Sequence, residues 1–226
     1  MSKRGLIVFD MDGVLVDVSE SYRETIRRTV HHFSGQEITK ELIQDYKNAG
    51  GWNNDWALSQ KILSDLGTAI DYQIVVDEFQ KVFFGIDGEP GLIQRERWIP
   101  RDGLLERLQQ RYDFAIFTGR LRDEASISLD RFVPELRWAR LVGDDDVKNG
   151  KPHPEGLLLL AGENPGTSLW YIGDTVDDAR SAKAAGVPFI GIADKNNPRY
   201  SDLCSLLNAE GAIAVLENIN ELETVL

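Results

Sequence analysis

A chain of 226 residues suffices for one large domain or two small ones, and an apolar share of 42% supports a buried core. Its 25 basic residues against 37 acidic ones leave a net charge of −12, which argues against nucleic acid or a membrane surface as partner. The single cysteine, Cys204, excludes an intrachain disulfide and points to a reducing, cytoplasmic setting.

The run Leu6-Ile7-Val8-Phe9 is too short for a signal-peptide core or a membrane span. It reads as a buried parallel strand that stops at Asp10-Met11-Asp12-Gly13. Ser19 or Ser21 is placed to cap a helix through Tyr22, Ile26, Val30 and Phe33, which Gly35 ends. Three more helices are expected over 39–46, 55–66 and 72–84, with a glycine-bearing loop, Gly50-Gly51-Trp52-Asn53-Asn54, among them. A stretch rich in Gly, Pro and charge follows over 85–100.

Beyond it the pattern alternates. Helices are expected over 103–111, 122–132, 175–185 and from 155 to 161. Strands are expected over 114–117, 140–142, 169–172 and, last, 188–192. Such alternation implies an α/β fold, a doubly wound (Rossmann-like) parallel sheet, built from 1–16 and 100–226. Residues 17–99 are then an all-helical domain inserted after the first strand, a position suited to a substrate-selecting cap.

In open parallel sheets, ligands bind beyond the carboxyl ends of the strands. Three apolar runs here end in polar groups: Asp10-Met11-Asp12, Thr118-Gly119-Arg120 and Gly173-Asp174. Lys151 follows on a loop. Together they suit phosphoryl transfer. A carboxylate can approach a phosphate ester only if the ester's charge is offset, which Mg2+ on hard oxygen ligands and Lys151 would do. Thr118 and the backbone N–H of Gly119 would hold a phosphoryl oxygen. Asp10 would attack phosphorus, and Asp12 would protonate the leaving alcohol and later activate water.

The segment Asp10-Met11-Asp12-Gly13-Val14-Leu15-Val16-Asp17 resembles the first motif of the haloacid dehalogenase-like hydrolase superfamily. Thr118 is similar to its second motif, Lys151 to its third, and Gly173-Asp174-Thr175-Val176-Asp177-Asp178 to its fourth. The insertion resembles the family's first, helical type of cap. The resemblance implies Asp10 as nucleophile and metal ligand, and Asp12 as acid/base with its backbone carbonyl on Mg2+. It implies Asp174 as third protein ligand, with Asp178, and Asp177 as an open alternative, supporting the metal from behind. Dehalogenating members resemble this pattern without the acid at Asp12, so a phosphatase acting on a small phosphorylated metabolite is implied. A poorly characterised subgroup with a similar cap includes relatives linked to histidine biosynthesis, which makes histidinol phosphate a candidate substrate.

Trp52, Asn53 and Asn54 are candidate substrate contacts, and Arg120 either binds the leaving group or pairs with an acid elsewhere. Trp56 and Cys204 read as core, Asp144-Asp145-Asp146 as a solvated loop, and His31, His32 and His153 as no zinc set. Two other classes share the Asp10/Asp12 pair or the fold: a phosphotransferase of the sugar-phosphate mutase type, and a non-catalytic binding protein.

Overall fold

The computed structural model describes residues 3–86 and 88–226; Met1, Ser2 and Asp87, which the expectations for 1–16 and 85–100 include, lie outside the described residues. The chain forms two compact units, residues 1–16 with 98–226 and residues 17–97. It passes between them at Val16–Asp17 (β2) and Arg97–Trp98 (β3), which pair with each other.

In the first unit, Leu6–Phe9 (β1) is buried along its whole length, because both faces of its sheet are covered. Leu6 and Val8 share a cluster with Ala115, Phe117, Leu157, Leu160 and Tyr171. Phe9 packs edge-on to Phe114 at 5.1 Å and to Trp138 at 6.2 Å. β1 is flanked by Asp113–Phe117 (β4) and Leu169–Gly173 (β6), both parallel to it. Arg140–Val142 (β5) extends one side, and Phe189–Ile192 (β7) then Ala214–Leu216 (β8) the other, giving the order β5-β4-β1-β6-β7-β8. Phe9 sits opposite both Ile116 and Ile172, so the polar ends of the three central strands emerge in step.

The connecting helices are Leu104–Gln109 (α5), Arg122–Phe132 (α6), Glu155–Glu163 (α7), Val176–Ala185 (α8) and Tyr200–Ala209 (α9). The strand over 188–192, expected to be the last, is followed by α9 and β8. Only three residues long and at the sheet edge, β8 is too short to show a period.

The second unit is helical: Tyr22–Ser34 (α1), Lys40–Ala49 (α2), Asp55–Asp65 (α3) and Tyr72–Phe84 (α4). Its core joins Tyr22, Ile26, Leu58, Ile62, Phe79 and Phe83, with the Tyr22 and Phe83 rings 4.2 Å apart. Thr39, Asn54 and Asp71 cap α2, α3 and α4 through side-chain oxygens at 2.8–3.1 Å from backbone N–H groups. Ser21 stands at the start of α1 but makes no side-chain cap bond; Asp17 instead accepts from the Ser19 N–H at 2.9 Å. Gly35, at φ 68°, closes α1.

Trp56 is half-buried, its ring edge-on to Phe79 at 6.5 Å. Among the described residues, no helix is long and apolar enough to cross a membrane.

Candidate active site

Asp10 sits where β1 leaves the sheet. Its N–H still donates to the Ile172 carbonyl at 2.8 Å, so the backbone is fixed while the side chain turns into the strand-end site. The chain then reverses, with the N–H groups of Leu15 and Val16 converging on the Met11 carbonyl. Gly13, at φ 73°, makes the turn possible, and a Cβ there would collide with the Asp174 carboxylate. The same glycine thus shapes the turn and lets Asp174 approach it. Gly173 does likewise on β6, where a Cβ would meet the Asp178 side chain.

Lys151 enters from its loop fully buried. Its Nζ donates to Asp10 Oδ1 at 2.8 Å and lies 2.7 Å from Asp178 Oδ1. The Phe117 and Tyr171 rings stand 5.0 and 5.5 Å from it. Asp178 is saturated: Oδ1 also accepts from the Tyr171 hydroxyl at 2.6 Å, and Oδ2 from the N–H and hydroxyl of Thr175. Lys148, the other lysine of this loop, is exposed.

One ammonium here serves two buried carboxylates. Burial works against ionised Asp178, but Lys151, Thr175 and Tyr171 together hold its carboxyl below the usual range. Burial also works against charged Lys151, yet Asp10 and Asp178 keep it firmly protonated. Asp10 is the under-compensated member. Its carboxyl is raised to about 7 in all: burial drives it up, Lys151 pulls back, and the charges of Asp178 and Asp12 add to the rise.

That deficit fits a cation. Asp10, Asp174 and Asp178 each offer an oxygen within 4.8 Å of the others. All are hard donors of the kind Mg2+ takes. Asp178 is already engaged by four donor contacts, so Asp10 and Asp174 are the carboxylates suited to meet an ion, with Asp178 acting through Lys151.

At the end of β4, the Thr118 N–H is held by the Val142 carbonyl at 3.0 Å, and Thr118 Oγ1 accepts from the Arg120 N–H at 3.2 Å. Gly119 lies between them, half-buried. Arg120 is buried and pairs with Asp12, its Nε 2.8 Å from Oδ1. Of its two expected roles, the structure displays the ion pair. Asp177 is also buried, at the first turn of α8.

Asp144-Asp145-Asp146 is solvent-accessible as expected, with none of the three buried and Asp145 exposed, but it is ordered by partners. It forms a 3-10 turn in which Asp145 accepts from the Arg122 N–H, and Asp146 accepts from Gly143 and pairs with Arg122. Cys204 is only partly buried, at the margin of the core. Among the described residues, the three histidines join no group suited to a metal.

In the helical unit, Asn54 spends its side chain capping α3, Asn53 offers its carbonyl to Lys47 Nζ at 3.4 Å, and Trp52 stands edge-on to Tyr46.

Tyr171 and Thr175 are site residues that sequence patterning passes over. Tyr171 hides within an apolar strand. Thr175 was read only as part of the fourth motif; the structure shows it capping α8 reciprocally with Asp178.

The site is thus that of an α/β protein with a parallel sheet, with carboxylates and a threonine at strand ends and a lysine on a neighbouring loop. The family described as haloacid dehalogenase-like hydrolase matches residues 7–192, and the chain belongs to it. An imidazoleglycerol-phosphate dehydratase from Phytophthora nicotianae is 32% identical over 193 residues, 82% of this chain and 42% of that protein. The chain thus spans less than half of that relative. Pyrophosphatase PpaX from Bacillus pumilus is 25% identical over 190 residues, covering 83% of this chain and 82% of that one. A solved structure from Bacteroides fragilis, described as a haloacid dehalogenase-like hydrolase, shares the fold with a TM-score of 0.77 at 24% identity. That likeness covers 97% of this chain and all of that one.

Proposed function

We propose that the protein is a magnesium-dependent phosphatase that cleaves a small phosphate monoester through an aspartyl-phosphate on Asp10. The observation that carries this reading is the buried Lys151 shared between Asp10 and Asp178, with Asp12 two residues beyond Asp10. Such an arrangement holds a carboxylate next to a fixed positive charge, which an anionic phosphoryl group requires.

Lys151 fixes Asp10 Oδ1 and leaves Oδ2 to attack phosphorus. As the new P–O bond forms, the bond to the alcohol breaks. Asp12 gives the leaving oxygen its proton. Thr118 Oγ1, the Gly119 N–H and Lys151 receive the phosphoryl oxygens. In the second half, Asp12 takes a proton from water as that water attacks phosphorus, releasing inorganic phosphate and restoring Asp10. Mg2+, held by Asp10, Asp174 and the Asp12 backbone carbonyl, would offset part of the phosphoryl charge.

For the alcohol, an imidazole-bearing group such as that of histidinol phosphate is favoured. Its support is the match to a dehydratase whose name carries an imidazole phosphate.

The test is phosphate release with and without Mg2+ over a panel of histidinol phosphate, phosphoglycolate, pyrophosphate and sugar phosphates. Release from histidinol phosphate well above the others supports the full reading. Interconversion of sugar phosphates without free phosphate replaces it with a mutase. No turnover of any ester leaves a binding protein on an enzyme fold. Asp10→Asn abolishes turnover with the fold retained; near-normal activity in that variant rules out covalent catalysis by Asp10.

A further inference from the structure

Arg120 lies two residues past Thr118 with its side chain 1% exposed. Its Nε donates to Asp12 Oδ1 at 2.8 Å, and Nη2 lies 2.6 Å from the same oxygen as an ion-pair contact without hydrogen-bond geometry. Nη1 donates to Ser128 Oγ on α6 at 2.8 Å. The backbone is pinned too: its N–H donates to Thr118 Oγ1 at 3.2 Å, and its carbonyl accepts from the Asp144 N–H at 2.9 Å. The guanidinium is thereby fixed on a rigid frame of strand end and helix. Asp12 differs, as it sits in a turn with its side chain 28% exposed. Left alone, such a carboxylate would sample several rotamers. Among the described residues, Asp12 Oδ2 makes no hydrogen bond.

We infer that Arg120 is a positioning residue that clamps Asp12 Oδ1, so that Oδ2 is presented to the leaving-group oxygen. The inference rests on the phosphatase reading and adds to it a residue that acts without touching substrate. Direct binding of the ester by Arg120 does not fit a guanidinium so removed from solvent. The guanidinium meets only one oxygen of Asp12, Oδ1, and leaves the other open.

The consequence is specific to the leaving group. In the first half-reaction Asp10 forms a bond to phosphorus, and the P–O bond to the alcohol breaks. The electron pair stays on the leaving oxygen, which takes the proton from Asp12 Oδ2. An alkoxide needs that proton. A p-nitrophenolate, being a weak base, departs without it. The ratio kcat/KM covers steps up to formation of the aspartyl-phosphate, so it isolates this half-reaction.

The experiment compares kcat/KM for an alkyl phosphate and for p-nitrophenyl phosphate in wild type, Arg120→Met and Arg120→Lys. Arg120→Met is expected to lower both values, the alkyl ester by roughly tenfold or more beyond the aryl ester. Arg120→Lys, which keeps the charge but not the fork, is expected to fall between. In an Asp12→Asn background, Arg120→Met should no longer change the alkyl-to-aryl ratio. Should Arg120→Met unfold, Ser128→Ala loosens the guanidinium and should move the ratio the same way by less. Equal losses on both esters, with wild type active on both, overturn the positioning role and leave the phosphatase reading standing. A wild-type protein that cleaves neither ester overturns both.

Discussion

Lys151 Nζ lies 2.7 Å from Asp178 Oδ1, and neither side chain reaches solvent. Removing one partner of such a pair leaves the other as an uncompensated buried charge, which typically costs about 3–5 kcal/mol. Lys151→Met strips the cation from both Asp178 and Asp10. We expect it to lose stability in that range in metal-free buffer, as read by denaturant unfolding, together with activity. Tyr171→Phe removes one of four donor contacts to Asp178 and should cost about 1–2 kcal/mol. A Lys151→Met protein as stable as wild type would mean that the ammonium compensates neither carboxylate.

Gly13 is the tightest point of the first motif. Alanine there faces two penalties: φ of 73° and a Cβ driven into the Asp174 carboxylate. Gly13→Ala should therefore lose about 1–3 kcal/mol. It should also weaken any ion held by Asp174 more than it alters the sheet. Calorimetric Mg2+ titration alongside thermal unfolding separates the two effects. Unchanged Mg2+ affinity in a folded Gly13→Ala protein would show that the turn and Asp174 are independent.

Metal binding has a readout besides activity. A ligand that binds only the folded state raises its stability by RT ln(1 + [L]/Kd), about 2.7 kcal/mol at a hundredfold excess over Kd. Mg2+ should raise the unfolding midpoint of wild type and leave Asp174→Asn almost unmoved. Asp10→Asn should likewise lose the Mg2+ response. Its metal-free midpoint should not fall, because the replaced carboxylate is the under-compensated one. An equal Mg2+ shift in Asp174→Asn would place the ion elsewhere.

The parts of the molecule that follow a period were legible in the sequence. Leu6–Phe9 matches its expected strand, because a buried strand must be apolar at every position; Arg140–Val142 matches too, although it is a half-buried edge strand. The family could be read because its polar groups fall at fixed points after such runs. What stayed hidden depends on contacts distant in sequence. Arg120 is 108 residues from Asp12, and nothing local says that its guanidinium turns to that carboxylate rather than to solvent. The acidic run Asp144-Asp145-Asp146 is solvent-accessible as its composition suggests, but its partner, Arg122, comes from the neighbouring helix and is not legible locally. Ser21 had the residue type of a helix cap, yet its oxygen is buried without a hydrogen-bond partner. Residue type alone does not determine rotamer. Asn54 shows the converse: a candidate substrate contact by position, it caps α3 by geometry.

Glu210, just past α9, ties that helix back to α8. Its Oε1 accepts from Arg180 Nε at 2.9 Å, and its Oε2 from Lys183 Nζ at 3.2 Å. The Arg180 bond, assisted by Lys183 and opposed by slight burial, holds the Glu210 carboxyl below the usual glutamate range. For a depressed carboxyl, the folded state binds the proton less readily than the unfolded chain. Its stabilisation is therefore present above the unfolded pKa, near 4.3, and fades as pH falls through the folded one. Glu210 is half-buried but its cationic partners are well solvated, so the effect is modest. Glu210→Gln should lose about 0.5–1 kcal/mol at pH 7, less in high salt. Below about pH 3, where both folded and unfolded carboxyls are protonated, mutant and wild type should converge. Urea unfolding at the two pH values measures the difference. A deficit that persists undiminished in acid would assign the loss to packing of the side chain instead of its charge.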